Sequence, residues 1–215
     1  MVDTETRSSR RRSSFINRKP ASNIVRAVSV ADAIGLPLNQ FVTLNFGHTT
    51  CPSGLVSEQF ELLRDNHFVP WLRRKATGLR TPPAYVWSIE SRGEYPHVHW
   101  VVHIPDERIA SFRALLPKWL AAVVPTVTCN SAVHVRDVPR PQGLAKYLIK
   151  GIDPVYARFF RIRHEPQGIV LGKRAGTSKS LGPSVRRRLQ DEGKIQSTPR
   201  KFRAFPNPTH TSLRT

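Results

Sequence analysis

The chain has 215 residues, enough for one domain with a sizeable core plus tails, and its 34 Lys+Arg against 15 Asp+Glu leave a net charge of +19. That excess points to a polyanionic partner, nucleic acid foremost, without separating an enzyme from a coat or ribosomal type of protein. Two cysteines, Cys51 and Cys129, exclude a disulfide framework, and the absence of an apolar run of ~20 residues or of an apolar leader beside Asp3 and Glu5 predicts a cytoplasmic protein with no membrane partner.

Residues 1–35 read as a basic N-terminal arm, partly disordered, with Arg7, Arg10, Arg11, Arg12, Arg18 and Lys19 set among serines. Residues 36–195 read as the folded domain, with a basic extension from about 153, and 196–215 as a disordered basic tail. Phe41-Val42-Thr43-Leu44-Asn45-Phe46 has the composition of a strand. Val56, Phe60, Leu63, His67 and Trp71 follow one helical stripe, which Pro70 should kink or end.

A hairpin follows. Residues 84–90 and 97–103 are β-branched and aromatic, and 91–96 hold Gly, Pro and charges, the pattern of two strands around a turn. Alternation puts Tyr85, Trp87 and Ile89 on one face, opposite Val98, Trp100 and Val102. The other, solvated face receives Glu90, His97 and His99. If Glu90 stands across from His97, their Cβ atoms lie roughly 5 Å apart, close enough for both to bind one metal ion. A His-x-His pair on a polar strand face can also be incidental. His103 lies roughly 13 Å beyond His99 by strand rise and reads as a sheet-end histidine rather than a ligand.

Asp106 is placed to cap a helix carrying Ile109, Phe112, Leu116, Trp119 and Val123 on one side, with Pro117 as an irregularity. Residues 132–137 read as a strand. Over 141–152, at ~100° per residue, Leu144, Ala145, Leu148, Ile149 and Ile152 fall within about 140° of arc. Tyr147 and Lys150 lie about 60° apart and point away from that arc, as does Lys146. A structural tyrosine would join the stripe, although a surface tyrosine among lysines is also common. Residues 169–171 suggest a short strand. The Gly-rich stretch 172–180 is not a phosphate-binding Walker loop and reads as a solvated turn. Pro183 opens a helix bearing Arg186, Arg187 and Arg188.

The order of these pieces resembles the HUH endonuclease superfamily, specifically the replication initiators of rolling-circle elements. Residues 41–46 look like its first motif. Pro96-His97-Val98-His99-Trp100 matches the His-hydrophobic-His motif, and Tyr147-Leu148-Ile149-Lys150 matches the Tyr-x-x-Lys motif of the nicking tyrosine. Glu90, seven residues before His97, lies where many members carry a third metal ligand. The resemblance covers roughly residues 41–152 and implies an α+β fold, a palm-like central antiparallel sheet with helices packed on it and basic flexible tails. Relaxases place the tyrosine ahead of the histidines, so an initiator or a single-tyrosine transposase fits better. Two-tyrosine initiators carry their second tyrosine one turn on, where this chain has Gly151. Tyr156 comes beyond Pro154, so a one-tyrosine enzyme is expected.

The resemblance implies attack by the Tyr147 hydroxyl on a phosphodiester of single-stranded DNA, giving a 5′-phosphotyrosine and a free 3′-hydroxyl. Tyrosine is a weak nucleophile at pH 7, so a divalent ion on Glu90, His97 and His99, Mn²⁺ or Mg²⁺, would polarise the phosphate. Lys150 would hold it. Arg10, Arg11, Arg12, Lys146, Arg186, Arg187 and Arg188 would contact DNA phosphates without reading sequence. The expected partners are single-stranded DNA at an origin, near a hairpin, and a polymerase and helicase supplied by the host or another chain. Two other readings compete: a cupin-type metal oxygenase, which requires a mostly β chain, and a non-catalytic nucleic-acid-binding protein.

Overall fold

A computed structural model describes residues 11–74, 81–93, 95–139 and 141–196. Arg10 and the tail beyond 196 lie outside them. In chain order the elements are β1 (Arg12–Ser13), α1 (Arg18–Ala33), β2 (Gln40–Asn45), α2 (Val56–Leu62), a π-helical segment (Leu63–Phe68), α3 (Val69–Arg73), β3 (Tyr85–Arg92), β4 (Tyr95–Val102), α4 (Ile109–Val123), β5 (Val133–Asp137), α5 (Pro141–Leu148), α6 (Pro154–Phe160), β6 (Val170–Leu171), β7 (Ala175–Thr177) and α7 (Pro183–Asp191). Five strands form one antiparallel sheet in the order β5-β2-β4-β3-β7, and β1 pairs with β6 in a separate two-stranded ribbon. The fold is α+β, with helices on both faces of the sheet.

The expected hairpin is present in the expected register: Glu90 faces His97, and Trp87 faces Trp100. Its turn is tighter than the sequence suggests. Strand pairing continues through Ser91–Pro96 and Arg92–Tyr95, and Gly93 takes the left-handed conformation (φ 57) that a short turn requires.

Alternation along these strands produces two cores. One face turns Val42, Leu44, Tyr85, Trp87, Ile89, Val98, Trp100 and Val102 toward α2, the π-helical segment, α3 and α4. Its rings pack edge to face, Phe68 on Trp100 at 4.6 Å and Phe60 on Trp87 at 5.2 Å between centroids, contacts worth about 0.5–1.5 kcal/mol each beyond their buried area. The other face turns Phe41, Val86 and Val101 toward α1 and α5.

Several sequence expectations change here. The stretch read as a basic arm holds α1, whose Ala21, Ile24, Ala27, Val28 and Ala31 form a buried stripe beneath its arginines. Pro70 does not end the helical run: the π-helical segment just before it adds one residue to the turn, and the buried stripe moves from Leu63 to Phe68 and Leu72 instead of His67 and Trp71. Asp106 lies inside a short 3₁₀ turn (Asp106–Arg108) rather than capping α4 by its side chain. The Gly-rich stretch expected as a turn contains β7, the edge strand beside β3. Backbone pairing, not side-chain pattern, makes it a strand. His103 stands past the end of β4, its Nδ1 on the Pro37 carbonyl at 2.8 Å.

Candidate metal centre and nucleophile

The second face of the sheet is apolar at one end and polar at the other. Going along β3, Val86 gives way to Ser88 and Glu90. Along β4, Val101 gives way to His99 and His97, and along β2, Phe41 gives way to Thr43 and Asn45. Because Thr43 faces His99 and Ser88 faces His99 from the other side, the polar groups converge on the central strand. The expectation of a solvated face is wrong for this end. Helix α5 and the turn that follows it roof it, leaving Glu90 3% and His99 4% exposed.

Ligand atoms of Glu90, His97 and His99 all lie within 4.8 Å of one another, a cluster that could hold a metal ion. Glu90 Oε2 lies 3.2 Å from His97 Nε2, and Glu90 Oε1 lies 3.5 Å from His99 Nε2. Neighbouring ligands at about 2.1 Å from a common ion stand about 3 Å apart, so these separations match a coordination edge. Two further observations fit an ion. The Tyr95 carbonyl can only accept, so His97 Nδ1 donates to it at 3.2 Å, and a neutral imidazole then aims a lone pair at a carboxylate oxygen; a proton or a cation must lie between them. In addition, Glu90 Oε1 and Ser88 Oγ are buried with no hydrogen-bond partner, and such atoms cost free energy unless something else satisfies them. Thr43 Oγ1, 3.2 Å from His99 Nδ1, orients that ring as outer-shell groups do in metal sites.

Burial pushes the Glu90 carboxyl up, but the two imidazoles and the Lys150 ammonium outweigh it and hold the group well below the usual carboxylate range. Burial pushes His99 down despite Glu90, keeping it in the neutral form that binds metals. Lys150 Nζ sits 3.0 Å from Glu90 Oε2. Its burial lowers it, and the Glu90 charge more than reverses this, so Lys150 is raised.

Tyr147 completes the arrangement. It lies on α5 with 40% exposure, its hydroxyl 3.2 Å from His99 Nε2 and its ring edge-on to Phe41 at 6.2 Å. Lys150 sits 4.2 Å from the centre of the Tyr147 ring. It is therefore tied to the carboxylate beneath the tyrosine, not a solvated helix end. The helix itself stops at Leu148, and Lys150 is carried by the turn that follows. At Gly151 a Cβ would come 2.7 Å from Gln167 Cγ, so a tyrosine at that position would have to displace the buried Gln167 side chain. Tyr156 lies away from the cluster, on α6 with the Arg18 guanidinium 5.9 Å from its ring centre.

The structure thus brings Glu90, His97, His99, Tyr147 and Lys150 together. Lys146 is exposed on α5, one residue before the tyrosine. The other cationic residues expected to meet DNA are spread over separate surfaces: Arg11 and Arg12 at the β1–β6 ribbon, Arg186 half-buried on α7, and Arg187 and Arg188 exposed beside it. Arg188 pairs with Glu192 at 3.7 Å. Sequence reasoning missed Thr43, Ser88 and Arg174. Thr43 was legible in the alternation of β2. Arg174 was not: it is buried, donates to the carbonyls of Ser14, Gln167 and Gly168, and burial pushes it down to about 10 against the pull of the Glu90 charge. No family model, curated protein or solved structure matches the chain. Among the described residues no helix is long and apolar enough to cross a membrane.

Proposed function

We propose that the protein is a single-tyrosine DNA-nicking and rejoining enzyme of the HUH type, serving rolling-circle replication of a plasmid or phage-like element. The observation that carries this reading is the Tyr147 hydroxyl, 3.2 Å from His99 Nε2, at the half-exposed edge of the Glu90–His97–His99 cluster. A hydroxyl nucleophile beside a site for a hard cation suits transfer of a phosphodiester to the protein.

In this reading a single strand of DNA lies over the open side of the cluster. The Tyr147 oxygen forms a bond to phosphorus as the P–O3′ bond breaks. The tyrosyl proton leaves and one is returned to the departing 3′-oxygen. The products are a 5′-phosphotyrosine and a 3′-hydroxyl a polymerase can extend, and the reverse reaction rejoins the strand. Glu90, His97 and His99 would hold Mn²⁺ or Mg²⁺, which when bound polarises a non-bridging phosphate oxygen. Phe41 and His99 keep the tyrosine ring in place, and Lys150 lends positive charge beneath it while neutralising Glu90. Lys146, on the same helix, is placed to meet a neighbouring phosphate. The α+β fold counts against the cupin-type oxygenase, which requires a mostly β chain.

The test is incubation of the protein with labelled single-stranded DNA and Mn²⁺. A protein–DNA adduct that survives SDS is expected from wild type and absent after Tyr147→Phe or addition of a chelator. Binding without any adduct would mean a non-catalytic nucleic-acid-binding protein.

A further inference from the structure

Between α1, α6 and the start of α7 opens a cleft of about 690 Å³ whose lining includes Arg18, Lys19, Asn23, Arg26, Tyr156 and Arg186. Its volume is that of a ligand site, and four cationic side chains, Arg18, Lys19, Arg26 and Arg186, stand on its walls. Among the described residues on its wall the one carboxylate is Asp153, which accepts from the Val155 backbone N–H at 3.0 Å as the cap of α6. Arg26 and Arg186 are half-buried, and among the described residues neither pairs with a carboxylate. Among the described residues the Arg186 guanidinium donates to the Asn23 side-chain oxygen at 3.4 Å. Burial and then the charge of Arg18 push Arg26 down, and burial followed by the charges of Arg26 and Arg187 does the same to Arg186. Like charges drawn together in a concavity are unfavourable until an anion enters, and guanidinium groups match phosphate oxygens in bidentate geometry.

The cleft is close to the proposed reaction centre along the chain. Asp153 on its wall follows Lys150 by three residues, a separation of at most roughly 11 Å between Cα atoms. We propose that this cleft is a second phosphate site, in which Arg26 and Arg186 grip the backbone of the nucleic-acid strand a few nucleotides from the scissile bond. The register rests on the nicking reading above; the ligand class rests on the cleft itself.

The experiment compares full-length Arg26→Gln/Arg186→Gln with Arg73→Gln/Lys118→Gln, the latter pair lying on α3 and α4 over the opposite face of the sheet. Fluorescence anisotropy with a labelled single strand of about 25 nucleotides, in KCl from about 50 to about 300 mM, reads affinity and its salt dependence. The cleft pair is expected to lose about tenfold in affinity and about 1.4 in the log–log salt slope, the contribution of two phosphates on a single strand, with little change for the control pair. Equal losses in both pairs would mean a diffuse field of charge and overturn the proposal. Since the substitutions remove mutual repulsion, the melting midpoint of the cleft variant should hold or rise; a drop of more than about 5 °C would assign the arginines a structural task and overturn it as well. A cleft-specific slope change in a protein that forms no DNA adduct would discard the nicking reading and keep the cleft, whereas adduct formation with no slope change would do the reverse.

Discussion

Beneath α2 and α4, strands β3 and β4 present Trp87, Ile89, Val98 and Trp100 to Phe60, Phe68 and Phe112, and every one of these side chains is 2% exposed or less. On the reverse of the same strands, Val86 and Val101 are buried equally well under α1, but two pleats along the pattern breaks and Glu90 and His99 are sealed in instead. Hydrophobic burial accounts for the first face. It opposes the polar end of the second, where a carboxylate must be removed from water and is compensated by two imidazoles, the Lys150 ammonium and the pull of the Arg174 guanidinium. The same face is covered by apolar side chains a few residues away, so stability alone does not call for the charge, and the proposed function gives it a task.

Mutations that separate stability from activity sharpen this contrast. The largest stability effect is expected on the aromatic face. Trp100→Ala removes a fully buried ring packed on Phe60, Phe68 and Phe112 and should cost about 3–5 kcal/mol in urea unfolding, while the fraction that remains folded still forms the DNA adduct. A severe and selective loss of adduct in folded Trp100→Ala would blur the two faces.

Glu90→Gln should cost less, about 1–3 kcal/mol near neutral pH, by leaving Lys150 without its partner. It should also abolish saturable Mn²⁺ binding followed by electron paramagnetic resonance. Its pH dependence has a definite sign. Glu90 ionises at lower pH in the folded protein than an unfolded glutamate, near 4.3, does. Its stabilisation is therefore complete above that value and lost as the pH falls toward the folded one. The stability gap between wild type and Glu90→Gln, measured without metal, should narrow between about pH 5 and about pH 3. A constant gap would mean that the carboxylate is not held in its charged form.

Tyr147→Phe should have the smallest stability effect and the greatest chemical one. It deletes one hydroxyl of a half-exposed side chain, so unfolding should shift by no more than about 1 kcal/mol, while nicking disappears.

Much of the contrast was legible in the sequence. The period-two alternation of residues 84–90 and 97–103 gave both strand faces, and the position of Tyr147 off the apolar arc marked it as unusual; the Glu90–His97 pairing was one possible register, which the tight turn closed by Arg92 and Tyr95 fixes. Burial of the polar end was not legible, since it depends on α5 crossing that end of the sheet, a long-range packing choice with no local signature. Helix α1 was not legible because its stripe is built largely of alanine and valine, weak hydrophobic signals among arginines whose charge has the pattern of an arm. The π-helical insertion shifted a stripe by one residue, which a fixed period of 3.6 cannot anticipate. β7, with the sequence Ala-Gly-Thr, owes its place to the free edge of β3.

The identity of the residue that carries the DNA tests the proposed chemistry most directly. Protein incubated with Mn²⁺ and single-stranded DNA, digested after the adduct forms and sequenced by tandem mass spectrometry, should show the nucleotide on Tyr147, with no modified peptide after His99→Ala. A nucleotide on Tyr156 or on any other residue, or an undiminished adduct in His99→Ala, would contradict it.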